Sequence, residues 1–209
     1  MRQLPLATAL LFSLASMAQA ESLSTAELAN LVAEPDIAEK VATVLVADEQ
    51  LYTPSCKQLG SITPDHMSVF EDPRIGQEGK PVAGHWMVRY KVDVCGTDRL
   101  RGVLFRIVDE NLEISPLLPG NTQTDPQLQN DVSKAFKMAT SRAYPTCKTP
   151  FVADTRLLSI PKNGDAPWEE LWVADVCGRL FGQAIRFVPQ EGGTAFAMDI
   201  ATGDKPAAK

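Results

Sequence analysis

Histidine is scarce in this chain: only His66 and His85 in 209 residues. Both fall in or beside a single link, and no serine or lysine stands in a glycine-rich elbow. The sequence therefore assembles no Ser/His/Asp set or comparable nucleophile and base. The four cysteines lack the two-residue spacing of a redox pair or a zinc knuckle, which argues against a reactive thiol or a thiolate metal site. Gly192-Gly193 is a hairpin turn signal and not a phosphate loop. No cofactor or metal is expected. Basic residues number 20 against 26 acidic ones and are scattered, giving a formal charge of −6 that disfavours nucleic acid as a partner.

Long apolar runs are missing as well, apart from one at the start. Met1-Arg2 opens the chain with a positive charge, Leu4 to Leu14 is apolar, and Ala18-Gln19-Ala20 precedes Glu21. A charged start, a short apolar stretch and a small-x-small site read as a secretory signal, residues 1–20, cleaved after Ala20. The run is too short for the ~20 residues of a membrane-spanning helix. The mature chain then begins at Glu21 with a formal charge of −7 and no stable membrane insertion. Four cysteines suit the oxidising periplasm or the medium beyond it.

The rest of the sequence is duplicated. Pro54-Ser55-Cys56-Lys57 matches Pro145-Thr146-Cys147-Lys148, and Asp93-Val94-Cys95-Gly96 matches Asp175-Val176-Cys177-Gly178. Trp86 and Trp168 each stand nine residues before the second cysteine of their copy. Further on, the run from Gly102 to Val108 aligns with Gly182 to Val188 if the turn before it is two residues longer in the first copy. Residues 21–119 form one repeat, residues 120–201 the other, and 202–209 a disordered tail.

Each repeat opens with a helix signature. Asp36 is the expected N-cap of the first, with Glu39 three residues on, and Asp125 that of the second, with Pro126 at the first helical position. Ser24 and Glu27 form a capping box for an additional leading helix that Pro35 ends. Four strand-like runs follow in each copy, joined by short links that favour antiparallel hairpins. The expected fold class is α+β: two tandem copies of a helix packed on a four-stranded antiparallel β-meander, one disulfide per copy.

Alternation assigns the faces. Trp86, Val88, Tyr90, Val92 and Val94 share one side of their strand, as do Trp168, Trp172, Ala174 and Val176, and these sides should meet the helices. The opposite side is polar in the first copy but includes Leu171 and Val173 in the second. Four cysteines allow three pairings, and a unit that once folded alone should close within itself, as Cys56 with Cys95 and Cys147 with Cys177. At separations of 39 and 30 residues, each bridge stabilises by about 3.5 to 4 kcal/mol in the chain-entropy picture.

Candidate functional residues are few. The link Pro64 to Gly84 makes the first repeat nine residues longer than the second between its first cysteine and its tryptophan. Function favours such loops on a rigid frame, and Met67 and Phe70, apolar in a polar stretch, are the candidate ligand contacts. The histidines beside them read as solvated. Asp93 with Arg106, and Asp175 with Arg186, read as cross-strand ion pairs rather than an anion site.

These features describe a non-enzymatic envelope protein that binds another envelope protein or a small ligand through its sheet surface. One alternative is an inhibitor of a secreted or periplasmic enzyme, since tandem helix-on-four-strand units with a disulfide each resemble in outline the secreted β-lactamase inhibitor proteins. That resemblance is architectural and carries no shared motif. The other alternative is an envelope hydrolase using carboxylates.

Overall fold

Pro35 and Pro126 each occupy the first turn of an 18-residue helix, and everything after them follows the same order in both halves of the chain. A computed structural model describes residues 21–76, 81–159 and 166–198. The expected signal, residues 1–20, and the expected tail, 202–209, lie outside the described residues. The elements run β1 (Glu21–Ser22), α1 (Thr25–Ala33), α2 (Pro35–Tyr52), β2 (Leu59–Ile75), β3 (Pro81–Val94), β4 (Thr97–Val108), β5 (Asn111–Pro119), α3 (Pro126–Ala143), β6 (Phe151–Ser159), β7 (Trp168–Val176), β8 (Arg179–Gln190) and β9 (Gly193–Met198). They build two separate antiparallel sheets, ordered β1-β2-β3-β4-β5 and β6-β7-β8-β9. The α+β class holds, with one disulfide in each half, Cys56–Cys95 and Cys147–Cys177.

The first half is richer than a helix on four strands. It carries two helices and a fifth, two-residue strand, β1, which pairs with the far end of β2 at Glu21↔Ile75 and Ser22↔Arg74. The capping box of α1 forms, with Glu27 Oε2 accepting from the Ser24 backbone at 2.7 Å. Asp36 does not cap α2. Glu34 holds the N-cap position without a side-chain bond, and Pro35, before which α1 ends as expected, is also the first residue of α2. Asp125 does cap α3, accepting from the Leu128 N–H at 2.8 Å.

The link Pro64 to Gly84 is not a loop. Most of it is strand: β2 is 17 residues long and β3 14, against nine each for β6 and β7, so the extra residues lengthen a hairpin. Pro64 and Pro73 are tolerated because β2 is an edge strand beyond its short pairing with β1, and repeated bulges absorb the irregular register.

The turn after each second cysteine corrects the internal alignment. Cys95-Gly96 and Cys177-Gly178 are both two-residue turns with positive φ at each position, 50° and 84° in one and 52° and 85° in the other. This is the mirror-image turn that matches the twist of a hairpin. The turns are equal in length, so Trp86 pairs with Phe105 and Trp168 with Phe187. Val103 and Phe105 therefore correspond to Ile185 and Phe187, two residues away from the alignment on glycines. Each tryptophan stacks on its phenylalanine, at 5.4 Å and 4.9 Å between centroids. The cores are separate: Leu28, Val41, Leu45, Trp86, Val88 and Phe105 are central to one, and Val132, Phe136, Trp172, Ile185 and Phe187 to the other.

Candidate functional site

The two repeats meet along the segment that links β5 to α3. Gly120 sits at φ +95°, and a Cβ there would lie 2.1 Å from the Thr155 carbonyl oxygen, so only glycine fits this close approach. Asn121 N–H donates to that carbonyl at 2.7 Å, and the Thr155 hydroxyl donates to the Pro119 carbonyl at 2.7 Å. From β3, the Arg89 guanidinium donates to Asn121 Oδ1 and to the Thr122 carbonyl, both at 2.8 Å. Burial lowers the Arg89 pKa, and the nearby Asp65 and Glu170 carboxylates oppose that shift.

Glu170 completes this latch. It lies on the inward side of β7 between Trp168 and Trp172 and is fully buried. Its carboxyl accepts from the Trp168 and Trp172 indoles at 2.9 and 2.8 Å, from the Thr122 hydroxyl at 2.7 Å and from the Gln123 N–H at 2.8 Å. The first repeat has Val88 at the equivalent position. There the Trp86 indole nitrogen and the Tyr90 hydroxyl are buried with no hydrogen-bond partner, and burial pushes the Tyr90 phenol up to about 12. Glu170 is not among the residues expected from sequence, although a carboxyl between two inward tryptophans on an alternating strand marks it.

Beside the latch opens a cleft of about 720 Å³. Its floor is the outer face of the second sheet, the side away from α3, with Val173, Asp175, Leu180 and Arg156. Its wall comes from the first repeat: Tyr52 at the end of α2, and Arg99 and Arg101 at the start of β4. Tyr52 meets Phe151 edge-on at 5.5 Å, joining wall to floor, and the Arg101 guanidinium lies 5.3 Å from the Tyr52 ring centre.

A buried charge cluster backs this wall. Arg101 points inward, in line with Val103 and Phe105, and donates from Nε and Nη2 to Glu49 Oε2 on α2, the former at 2.7 Å. Thr53 donates to Glu49 Oε1 at 2.8 Å, and Arg99 lies 3.5 Å from the same oxygen. Asp48 is 9 % exposed, and its Oδ2 has no hydrogen-bond partner. Burial raises the Asp48 pKa to about 6, against the pull of Arg101 and with a further push from Glu49. Burial also raises the Tyr52 pKa, as does the neighbouring Asp48.

The expected contacts divide. Met67 pairs with Val88 and packs against the first core. Phe70 stays 40 % exposed, contacts the His85 ring at 5.4 Å, and lines a smaller hollow of about 170 Å³ with His66, Arg89 and Trp168. The expected Asp/Arg pairs do not form. Asp93 faces Asp98 beside the turn and accepts from the Gly96 N–H at 2.6 Å, whereas Arg106 sits at the far end of the hairpin opposite His85 and bridges to Glu113. Asp175 likewise accepts from the Gly178 N–H, and Arg186 faces Glu169.

No protein family, curated protein or solved structure matches the chain. The architectural likeness to secreted inhibitors therefore gains no support from known structures. Among the described residues no helix is long and apolar enough to cross a membrane.

Proposed function

We propose that this is an exported, non-enzymatic binding protein that holds a partner envelope protein or a small ligand on the outer face of its second sheet, where the two repeats meet. The observation that carries this reading is the cleft of about 720 Å³, whose floor combines apolar Val173 and Leu180 with charged Arg156 and Asp175. Concave sites with an apolar body and a few fixed polar groups are the usual form of a recognition surface. Leu180 is 58 % exposed there and offers an apolar contact at the cleft.

Two of the carboxylates that line the cleft, Asp154 and Asp175, are taken up locally, which favours binding over hydrolysis. Asp154 is bridged by Arg156 at 2.7 Å and accepts from the Thr155 N–H, while Asp175 holds the Cys177-Gly178 turn. A secreted or periplasmic enzyme that the protein inhibits is one form such a partner takes. Leu180→Arg fills the cleft mouth without touching either core, and Met138→Arg on exposed α3 is its control. Capture from envelope extract by tagged mature protein is expected to be lost in the first and kept in the second. Full capture by Leu180→Arg refutes the cleft as the site.

A further inference from the structure

We propose that the junction cleft carries an acid-sensitive latch at the end of α2: neutral Asp48 holds Tyr52 closed against Phe151, and ionised Asp48 loosens that wall. The functional meaning of the latch rests on the cleft being the binding site; the latch itself is a property of the protein alone.

The geometry sets two acids against one well-placed cation. Arg101 directs Nε and Nη2 to Glu49, and its Nη1 donates to the Leu100 carbonyl at 3.1 Å, so three of its five N–H groups are committed away from Asp48, whose Oδ2 is left without a partner. Arg99 lies against Glu49, not Asp48. The charged groups acting on Asp48 are thus Arg101 from β4 and Glu49 on its own helix, and no charged group of α1 or β5, which also pack on α2, contributes. A carboxylate left in this position has a buried oxygen with no donor, which strongly disfavours the ionised form.

Ionised Asp48 is relieved most simply by opening the last turn of α2 to water. That turn carries Tyr52, which contacts Phe151 of the second repeat, and both Tyr52 and Arg101 line the cleft. The sign follows from linkage: a carboxyl raised from 3.8 to about 6 favours the closed state fully below pH 4, and that preference is lost as pH rises through 6. If the open state restores the ordinary value, the opening equilibrium grows about tenfold between pH 5 and pH 7.5.

Hydrogen exchange of the ligand-free mature protein, corrected for the intrinsic pH dependence, reads this directly at residues 49–53. Protection is expected to be about tenfold higher at pH 5 than at pH 7.5, and Asp48→Asn should hold the acid-like level at both. Equal protection at the two pH values, or an unchanged pH dependence in Asp48→Asn, overturns the latch. Should the variant fold poorly, titrating the Asp48 carboxyl carbon by NMR in the wild-type protein decides: a midpoint near 6 supports the latch, and one in the ordinary aspartate range overturns it. No ligand enters these measurements, so their failure is separate from failure of the cleft as a binding site.

Discussion

Replacing Glu170 by valine, the residue that the first repeat carries as Val88, removes the acceptor at the centre of the latch between the repeats. Four donors lose their partner: two indoles, the Thr122 hydroxyl and the Gln123 N–H. The hydroxyl keeps a second contact, Thr124 Oγ1 at 2.6 Å. Each of the two indoles, left buried and unpaired, costs about 1–3 kcal/mol, whereas the Gln123 N–H belongs to an exposed linker residue and turns to water. Relief of the desolvation of a buried carboxylate offsets part of this, and water reaches some of the freed linker. A net loss of about 3–5 kcal/mol is expected, in the range for breaking a buried charged network. Glu170→Gln should lose less, about 1–3 kcal/mol, because its amide oxygen still accepts from two donors and the hydroxyl can turn to accept. Urea unfolding followed by tryptophan fluorescence suits the test, since Trp168 and Trp172 report on the second repeat and Trp86 on the first. At a urea slope of about 1–3 kcal/mol per molar, the valine variant should unfold at least ~1 M earlier in its second repeat. Valine within about 1 kcal/mol of wild type, or glutamine as damaging as valine, would refute the assignment of Glu170 as a network centre.

Two other expectations follow from the junction and the N-terminus. Gly120→Ala forces a Cβ against the Thr155 carbonyl at positive φ and should destabilise by about 2 kcal/mol or more, measured by the same unfolding curve; a neutral substitution would show that the link is free to shift. Purified protein from the envelope should begin at Glu21 on N-terminal sequencing, whereas an intact Met1 would rule out processing after Ala20.

Local rules carried much of the fold. The Ser24/Glu27 box, the Asp125 cap and the inward sides of β3 and β7 depend on neighbours a few residues away or on period-two alternation, and these are visible in one sequence; the pairing of the cysteines is visible in its duplication. Asp36 was misjudged because its acid pattern outweighed Pro35, although Pro126 at the matching place in α3 pointed to the right start. The long hairpin of β2 and β3 was hidden by Pro64 and Pro73, which read as loop residues until one knows that β2 lies at an edge. Alignment on Gly102 and Gly182 is two residues out of the register that the stacked Trp–Phe pairs define. A slip of two keeps every side chain on its face and so leaves the burial pattern almost undisturbed. What did not emerge was long-range polar chemistry. Glu49 and Arg101 are 52 residues apart, and Glu170 reaches a linker 47 and 48 residues before it. Only the oddity of charged residues at inward positions announces such pairs.

The sharpest test of the account is site-specific photo-crosslinking inside the envelope, with a benzophenone side chain placed at position 180 in the cleft, at position 70 on the long hairpin, or at position 138 on α3. All three positions are exposed. Binding on the second sheet at the repeat junction predicts a discrete adduct from position 180 and none from position 138. Adducts from position 70 with none from position 180 would contradict it and move the binding surface to Phe70 and the hairpin.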